Sequence, residues 1–254
     1  MKIKLVGSSV ADVNKHQFAM SYLVNETVAI DAGCIGCISS LDEQSRIQHV
    51  FLSHSHIDHT ASLPLFLDNV YKPRPDCPTV YGSQAVLESL RADIFNDRLW
   101  PDFIRLSSEE SPFLMLVEIE SGQTVELDDL NITVVALDHV VPTHGFIVGD
   151  ENASVAIITD TSPVDEIWRT ANRAPNLKAI FLEACFPNSM AWLAEKSKHL
   201  TPEQFGEVYR KLNAEIPVIA VHIKPPFFDQ VVSELRALGL SNLKIGVPDT
   251  EFEF

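Results

Sequence analysis

The stretch Ser53-His54-Ser55-His56-Ile57-Asp58-His59-Thr60, SHSHIDHT, decides how the rest of this sequence is read. It places three of the chain's nine histidines and one carboxylate within six residues, directly behind the apolar run HVFL at 49–52. In an extended segment alternate side chains share a side, so His54 and His56 can reach one metal ion together. Asp58 and His59 then turn the chain into the next segment. They cannot easily share that ion, and so they point to a second one beside it.

Three further strand ends carry a metal-competent side chain. His139 follows ITVVALD (132–138), Asp160 follows VAIIT (155–159) and His222 follows PVIAV (217–221). Such edges suit chemistry, because the sheet fixes the backbone while the loop leaves room for substrate. Seven candidates result: His54, His56 and His139 for one ion, Asp58, His59 and His222 for the other, and Asp160 between them. This set of imidazoles and carboxylates suits two divalent ions about 3.5–4 Å apart, each keeping a position for water. Zn²⁺ is expected, and the ligand types also admit Mn²⁺ or Fe²⁺.

The chain that carries these residues has 254 positions, 46% of them hydrophobic, enough to bury a large core. Its Val- and Ile-rich runs, IKLV, SYLV, VAIDA, HVFLS, ITVVALD, GFIV, ASVAIITD, KAIFLEA, PVIAVHI and LKIGV, read as strands. Helical spacing is found at about 83–97, 163–172, 201–213 and 228–239. The third is the best marked, with Thr201 as N-cap, Pro202 at the first helical position and Gln204 completing a capping box. Strands alternating with amphipathic helices define a layered α/β protein. One domain over 1–254 is expected, with two similar β-rich halves, roughly 1–140 and 141–254, compatible with it.

The formal charge of −16, from 35 acidic and 19 basic residues, argues against a nucleic-acid partner. No apolar run approaches the roughly 20 residues of a membrane span, and the start turns polar too early for a signal-peptide core. A cytoplasmic protein with no membrane attachment is expected, and a homodimer is compatible with the sequence. Cys34 and Cys37 form a C-x-x-C without a second pair at zinc-ribbon spacing, so small buried residues are expected there, with redox or metal use as the alternative. Cys77 and Cys185 carry no signal. His16 and His49 read as structural, and the three tryptophans as packing residues.

H-x-H-x-D-H, present as His54, His56, Asp58 and His59, is the signature of the metallo-β-lactamase superfamily, and His139, Asp160 and His222 follow in that family's order. VAIDAG, with Asp31 and Gly33, resembles the family's turn that supports the site. The resemblance implies an αββα four-layer sandwich. Within the family, LDHVVPTHGF (137–146), ITDTSP (158–163), FLEACFP (181–187), KHLTPEQ (198–204) and VHIKPPF (221–227) resemble the phosphodiesterase branch, ribonuclease Z and the class II 3′,5′-cyclic-nucleotide phosphodiesterases. HLTP and HIKP are closest to the cyclic-nucleotide enzymes, although Ile57 stands where these usually have Leu and Thr60 where they have an aliphatic residue. Ribonuclease Z inserts a long tRNA-clamping arm after the segment matching GFIV, and the span from Gly149 to Asp160 has no room for one.

The resemblance also assigns roles. His199 would protonate the leaving oxygen or hold the phosphate, and Glu183 would orient it. His139 fits the family's H-x-x-P-x-x-G pattern with Pro142 and Gly145, and is preferred to His144, its competitor for the same position. Lys224 can neutralise a phosphate oxygen. The expected activity is hydrolysis of cAMP or cGMP to the 5′-nucleotide by a hydroxide bridging the ions, with Asp58 and Asp160 holding the nucleophile. The alternatives are another hydrolase of the same fold, or a metal-binding protein of that fold without catalysis.

Overall fold

A computed structural model of the chain describes residues 1–8, 16–212 and 216–254; the side chains of Glu166 and Ile167 lie outside the description. Two seven-stranded sheets form its centre. The chain first lays down β1 (Lys2–Leu5), β2 (Tyr22–Val24), β3 (Val28–Ile30), β4 (His49–Phe51), β5 (Thr79–Gly82) and β6 (Met115–Glu118). It then crosses to β7 (Thr124–Glu126), β8 (Asn131–Leu137), β9 (Thr143–Gly149), β10 (Ser154–Ile158), β11 (Leu177–Glu183), β12 (Val218–Val221) and β13 (Leu243–Ile245). Last, β14 (Glu251–Glu253) returns to pair with β1.

The first sheet runs β14-β1-β2-β3-β4-β5-β6 and the second β13-β12-β11-β10-β9-β8-β7. In the first, β3 to β6 are parallel. In the second, β10 to β13 are parallel, while β8, β9 and β10 pair antiparallel in sequence. It follows that β8, β10, β11 and β12 all point the same way. Their carboxyl ends share one edge of the sheet.

Alternation along the strands builds the layers. Ile3, Tyr22, Ile30 and Phe51 of the first sheet face Ile132, Phe146, Ile157 and Phe181 of the second, forming the core between the sheets. The alternate residues Val50, Leu52 and Val80 face outward onto Leu63, Phe66 and Leu67 of the helix Leu63–Val70 and onto Val86 and Leu87. On the other side, Ala156, Ile158, Ile180 and Leu182 pack against Trp168, Phe205 of the helix Pro202–Tyr209, and Val231 and Leu235 of the helix Phe228–Ala237. Each large apolar side chain removed from water in this way is worth about 1.5–3 kcal/mol. The result is the four-layer αββα sandwich.

All ten strands expected from apolar runs are present, and so is the capping box of Thr201 and Gln204. Several boundaries differ. The sheets divide between Glu118 and Thr124, not near 140, because β7 and β8 form a hairpin that pairs onward with β9. Strands β5, β6, β7 and β14 carry no clear apolar pattern; β14 reads EFE and its glutamates are exposed. The helix expected at 83–97 is α-helical only over Gln84–Ser89, then widens into a π turn over Leu90–Ile94. The helix expected at 201–213 covers Pro202–Tyr209, and residue 213 lies outside the described residues. Trp168 is buried as expected, but Trp192 is 59% exposed, with Lys196 Nζ 5.7 Å above its ring. Among the described residues no helix is long and apolar enough to cross a membrane.

One close approach sets the position of the histidine-rich turn. The Asp58 carbonyl accepts from Met20 N at 2.8 Å, and the His59 carbonyl from Ala32 N at 2.8 Å, so the turn after β3 cradles the helical turn Ile57–Thr60. A Cβ on Gly33 would stand 2.1 Å from the Asp58 carbonyl oxygen and 2.7 Å from Met20 N. Gly33→Ala must therefore move backbone, at a cost of about 3 kcal/mol or more. Thermal unfolding should show Tm lower by roughly 6 °C or more. Gly149→Ala, where the nearest atom is 3.7 Å from the new Cβ, should melt with the wild type. Equal Tm values for the two variants would contradict the packing around Gly33.

Candidate metal centre

The carboxyl ends of β3, β4, β8, β10, β11 and β12 bring Asp31, His54, His139, Asp160, Glu183 and His222 to one edge of the sandwich. His54 and His56 lie on the extended segment behind β4, whereas Asp58 and His59 belong to the helical turn Ile57–Thr60. A backbone bond ties this segment to the other sheet, from His144 N to Ser53 O at 3.0 Å.

The seven predicted ligands come together in two groups. His54, His56, His139 and Asp160 offer atoms that all lie within 4.8 Å of one another, and so do Asp58, His59 and His222. Donors about 2 Å from a shared ion fit within that spread. Asp160 joins the groups. Its Oδ2 lies 3.6 Å from His54 Nε2 and 3.8 Å from His139 Nε2, while its Oδ1 lies 3.5 Å from both His59 Nε2 and His222 Nε2. His222 Nε2 is also 3.3 Å from Asp58 Oδ2.

Two atoms test whether metal ions fit. His54 Nε2 and Asp160 Oδ1 are buried, point into the groups and have no hydrogen-bond partner among the described residues. Leaving such atoms unpaired is costly, and a cation accepting both lone pairs removes the cost. Burial, aided by the neighbouring imidazoles, pushes the His54 ring well below the usual histidine range. A neutral ring with a free lone pair is the form that binds metal. Burial opposes ionisation of Asp160, but His222, His59 and His54 outweigh it and hold the carboxyl well below the usual range. The residues fit two divalent ions.

The outward nitrogens are tied down in turn. Ser53 Oγ lies 2.9 Å from His54 Nδ1 and donates to Asp31 Oδ2 at 2.9 Å. His59 Nδ1 donates to Asp31 Oδ2 at 2.7 Å, and Ser53 N to Asp31 Oδ1 at 2.8 Å. Asp31 is fully buried and sits at φ 61°, a left-handed backbone that turns its carboxylate back toward the site. His139 Nδ1 donates to the Lys198 carbonyl at 3.0 Å. These contacts fix each tautomer with Nε2 facing inward. Ser53, the Lys198 carbonyl and Gln17, whose Oε1 accepts from His222 N at 2.7 Å, were not singled out from the sequence. A backbone carbonyl or an ordinary polar loop side chain leaves no signal there.

The other predicted site residues lie alongside. His199 Nδ1 donates to Glu183 Oε1 at 2.9 Å, and Glu183 also accepts from Thr161 N and Leu200 N at 2.9 and 3.2 Å. Burial pulls the His199 ring down, but the Glu183 carboxylate more than offsets this and raises it above the ordinary value. His199 Nε2 lies 3.9 Å from Asp160 Oδ2. Lys224 Nζ is half-buried and donates to Asp58 Oδ2 at 3.3 Å. His144 is buried on β9 and belongs to neither group. The C-x-x-C residues stand apart. Cys34 is buried, its thiol pushed up to about 12 by burial, but Cys37 is exposed at the end of a short 3₁₀ turn, contrary to expectation; both are free thiols.

A sandwich of two mixed sheets with paired histidine and aspartate groups at its strand ends is the metallo-β-lactamase fold. The chain belongs to the β-lactamase superfamily: the model of the Beta-lactamase superfamily domain matches residues 37–223. A protein of Yersinia pestis described as "Probable 3′,5′-cyclic-nucleotide phosphodiesterase" is 28% identical over 227 residues. The match takes in 79% of this chain but 63% of that protein, so the chain spans less than two thirds of the relative. Among solved structures, the metallo-β-lactamase fold protein YhfI from Bacillus subtilis superposes with a TM-score of 0.74 at 16% identity, over 100% of this chain and 99% of that one. Unliganded yeast PDE1 gives 0.76 at 14% identity, over 100% and 99%. At these identities the structural likeness is one of fold.

The two candidates for the third imidazole of the first group can be separated directly. His139→Ala should bind fewer than two metal equivalents per chain at metal concentrations that saturate the wild type, and His144→Ala should keep two. Metal analysis of the dialysed proteins checks this. The opposite pattern would move the ligand to His144.

Proposed function

We propose that this protein is a two-metal phosphodiesterase that opens 3′,5′-cyclic nucleotides, cAMP or cGMP, to the 5′-nucleotide. The observation that carries the proposal is the position of the Glu183–His199 pair directly against the carboxylate shared by the two candidate metal groups. A proton donor thus stands beside the place where a nucleophile would be held. The 28% identity to the Yersinia pestis protein and the KHLTP and VHIKPP segments support the choice of substrate.

The residues divide the work. His54, His56 and His139 would hold one ion, Asp58, His59 and His222 the other, with Asp160 contributing one oxygen to each. Bound there, two divalent ions lower the pKa of water and neutralise charge on the phosphoryl oxygens. Burial disfavours the charged form of Asp58, but His222, His59 and Lys224 together hold its carboxyl far below the ordinary range. Asp58 is thereby kept as a hydrogen-bond acceptor that orients the attacking water. Lys224, 3.3 Å from Asp58, is placed to meet a phosphoryl oxygen with a positive charge.

His199 supplies the proton. Its Nδ1–H is fixed on Glu183, so Nε2 faces the cleft, and the Glu183 carboxylate, outweighing burial, raises the ring's affinity for a proton. The water's oxygen forms the new bond to phosphorus, its proton passing to solvent, as the bond from phosphorus to the 3′ oxygen breaks and Nε2 of His199 protonates that oxygen to a hydroxyl; His199 regains its proton from solvent. The overall −16 charge favours a small substrate over a polynucleotide.

A substrate panel of cAMP, cGMP, a linear nitrophenyl phosphodiester, a β-lactam and a pre-tRNA tests the proposal. Turnover of at least one cyclic nucleotide is expected. In the same panel His199→Ala should lose about 10²–10⁴-fold on the cyclic nucleotide and far less on the nitrophenyl ester, whose leaving oxygen needs little protonation. Cleavage of the linear ester with neither cyclic nucleotide turned over would reject the substrate. Equal losses on both substrates would reject the role of His199.

A further inference from the structure

Among the imidazoles with Nε2 turned inward, His222 is anchored unlike the rest. Its Nε2 is the inward nitrogen, 3.2 Å from His59 Nε2, 3.3 Å from Asp58 Oδ2 and 3.5 Å from Asp160 Oδ1. That nitrogen has a lone pair to give only when the ring proton is on Nδ1. For His54, His59 and His139 the Nδ1 atom meets an oxygen at 2.9, 2.7 and 3.0 Å. For His222 the partner of Nδ1 among the described residues is the sulfur of Cys185, at 3.8 Å.

Cys185 is well placed for this part. It follows β11 and is fully buried, and β11 pairs in parallel with β12, whose end carries His222. Its backbone is held from both sides, with Cys185 N donating to Leu200 O at 3.0 Å and Cys185 O accepting from Lys224 N at 3.2 Å. The His222 backbone lies at φ 55°, with its N–H on Gln17 Oε1. Main chain and sulfur together therefore set the direction of the ring. Sulfur is a weak, long-range acceptor compared with a carboxylate or carbonyl oxygen.

We propose that Cys185 is a positioning residue for His222: its sulfur accepts the Nδ1 proton and leaves Nε2 free for the ion held with Asp58 and His59, and the softness of that contact makes this ion the more readily exchanged of the two. The proposal rests on the two-ion reading of the site. It assigns a use to a buried thiol that belongs to neither of the two groups joined by Asp160.

Stepwise titration of the metal-free full chain with Co²⁺, against a competing chelator and followed by visible absorption, tests it without reference to activity. The wild type should take up two equivalents with unequal affinities. Cys185→Ala should weaken the second by about tenfold or more, alter the absorption of that equivalent alone and leave the first within about twofold. Cys185→Ser, whose hydroxyl can accept the same proton, should restore the second affinity. An unchanged second affinity in the alanine variant, equal weakening of both ions, or failure of serine to restore would overturn the assignment. A wild-type chain that binds fewer than two equivalents would overturn the two-ion reading, and this assignment with it.

Discussion

Asp160 is the charge on which the arrangement depends. Its side chain is 2% exposed, and each oxygen faces a different set of imidazoles. Burying an ionised carboxylate away from water is costly unless positive charge and hydrogen bonds surround it. Here the surroundings come from both sheets, His54 and His59 from the first and His139 and His222 from the second. The charge therefore sits on the seam of the sandwich, and the same packing that brings the sheets together determines the spacing of the two groups. A pair of divalent cations would balance this seam, whereas protonated imidazoles alone would crowd like charges within 4 Å.

Around that centre a second ring of contacts turns loops into fixed positions. Asp31, held in a left-handed conformation, takes bonds from Ser53 and His59 and thereby links the ends of β3 and β4. Glu183 does the same in the second sheet, joining Thr161, next to Asp160, to Leu200 and His199. Lys198, also left-handed, turns its carbonyl to His139 just before the chain reaches His199. A candidate metal position and the proposed proton donor are thus set by the same few residues. Displacement of one would disturb the other.

Much of this was legible in the sequence for a chemical reason. Metal binding restricts residue types, so imidazoles and carboxylates at strand ends stand out, and long buried strands such as β10 read as unbroken apolar runs. The partners of those side chains were less visible. Ser53 is one small polar residue among several, the Lys198 contribution is a carbonyl, and Cys185 is indistinguishable from a packing residue until His222 is beside it. The missed strands have a different cause. β6, β7 and β14 are short edge strands with exposed residues, and pairing with a neighbour, distant in the chain for β6 and β14 and across a hairpin for β7, makes them strands where local pattern does not. The exposed Cys37 reflects a short turn that brings only Cys34 into the core.

The central claim is that Asp160 is shared by two ions, with three imidazoles on one side and Asp58, His59 and His222 on the other. Anomalous X-ray scattering at the absorption edge of the bound metal, from crystals of the metal-loaded chain, measures this directly. Two peaks about 3.5–4 Å apart, with one Asp160 oxygen on each, are predicted. A single peak, or two peaks with Asp160 bound to only one of them, would contradict it.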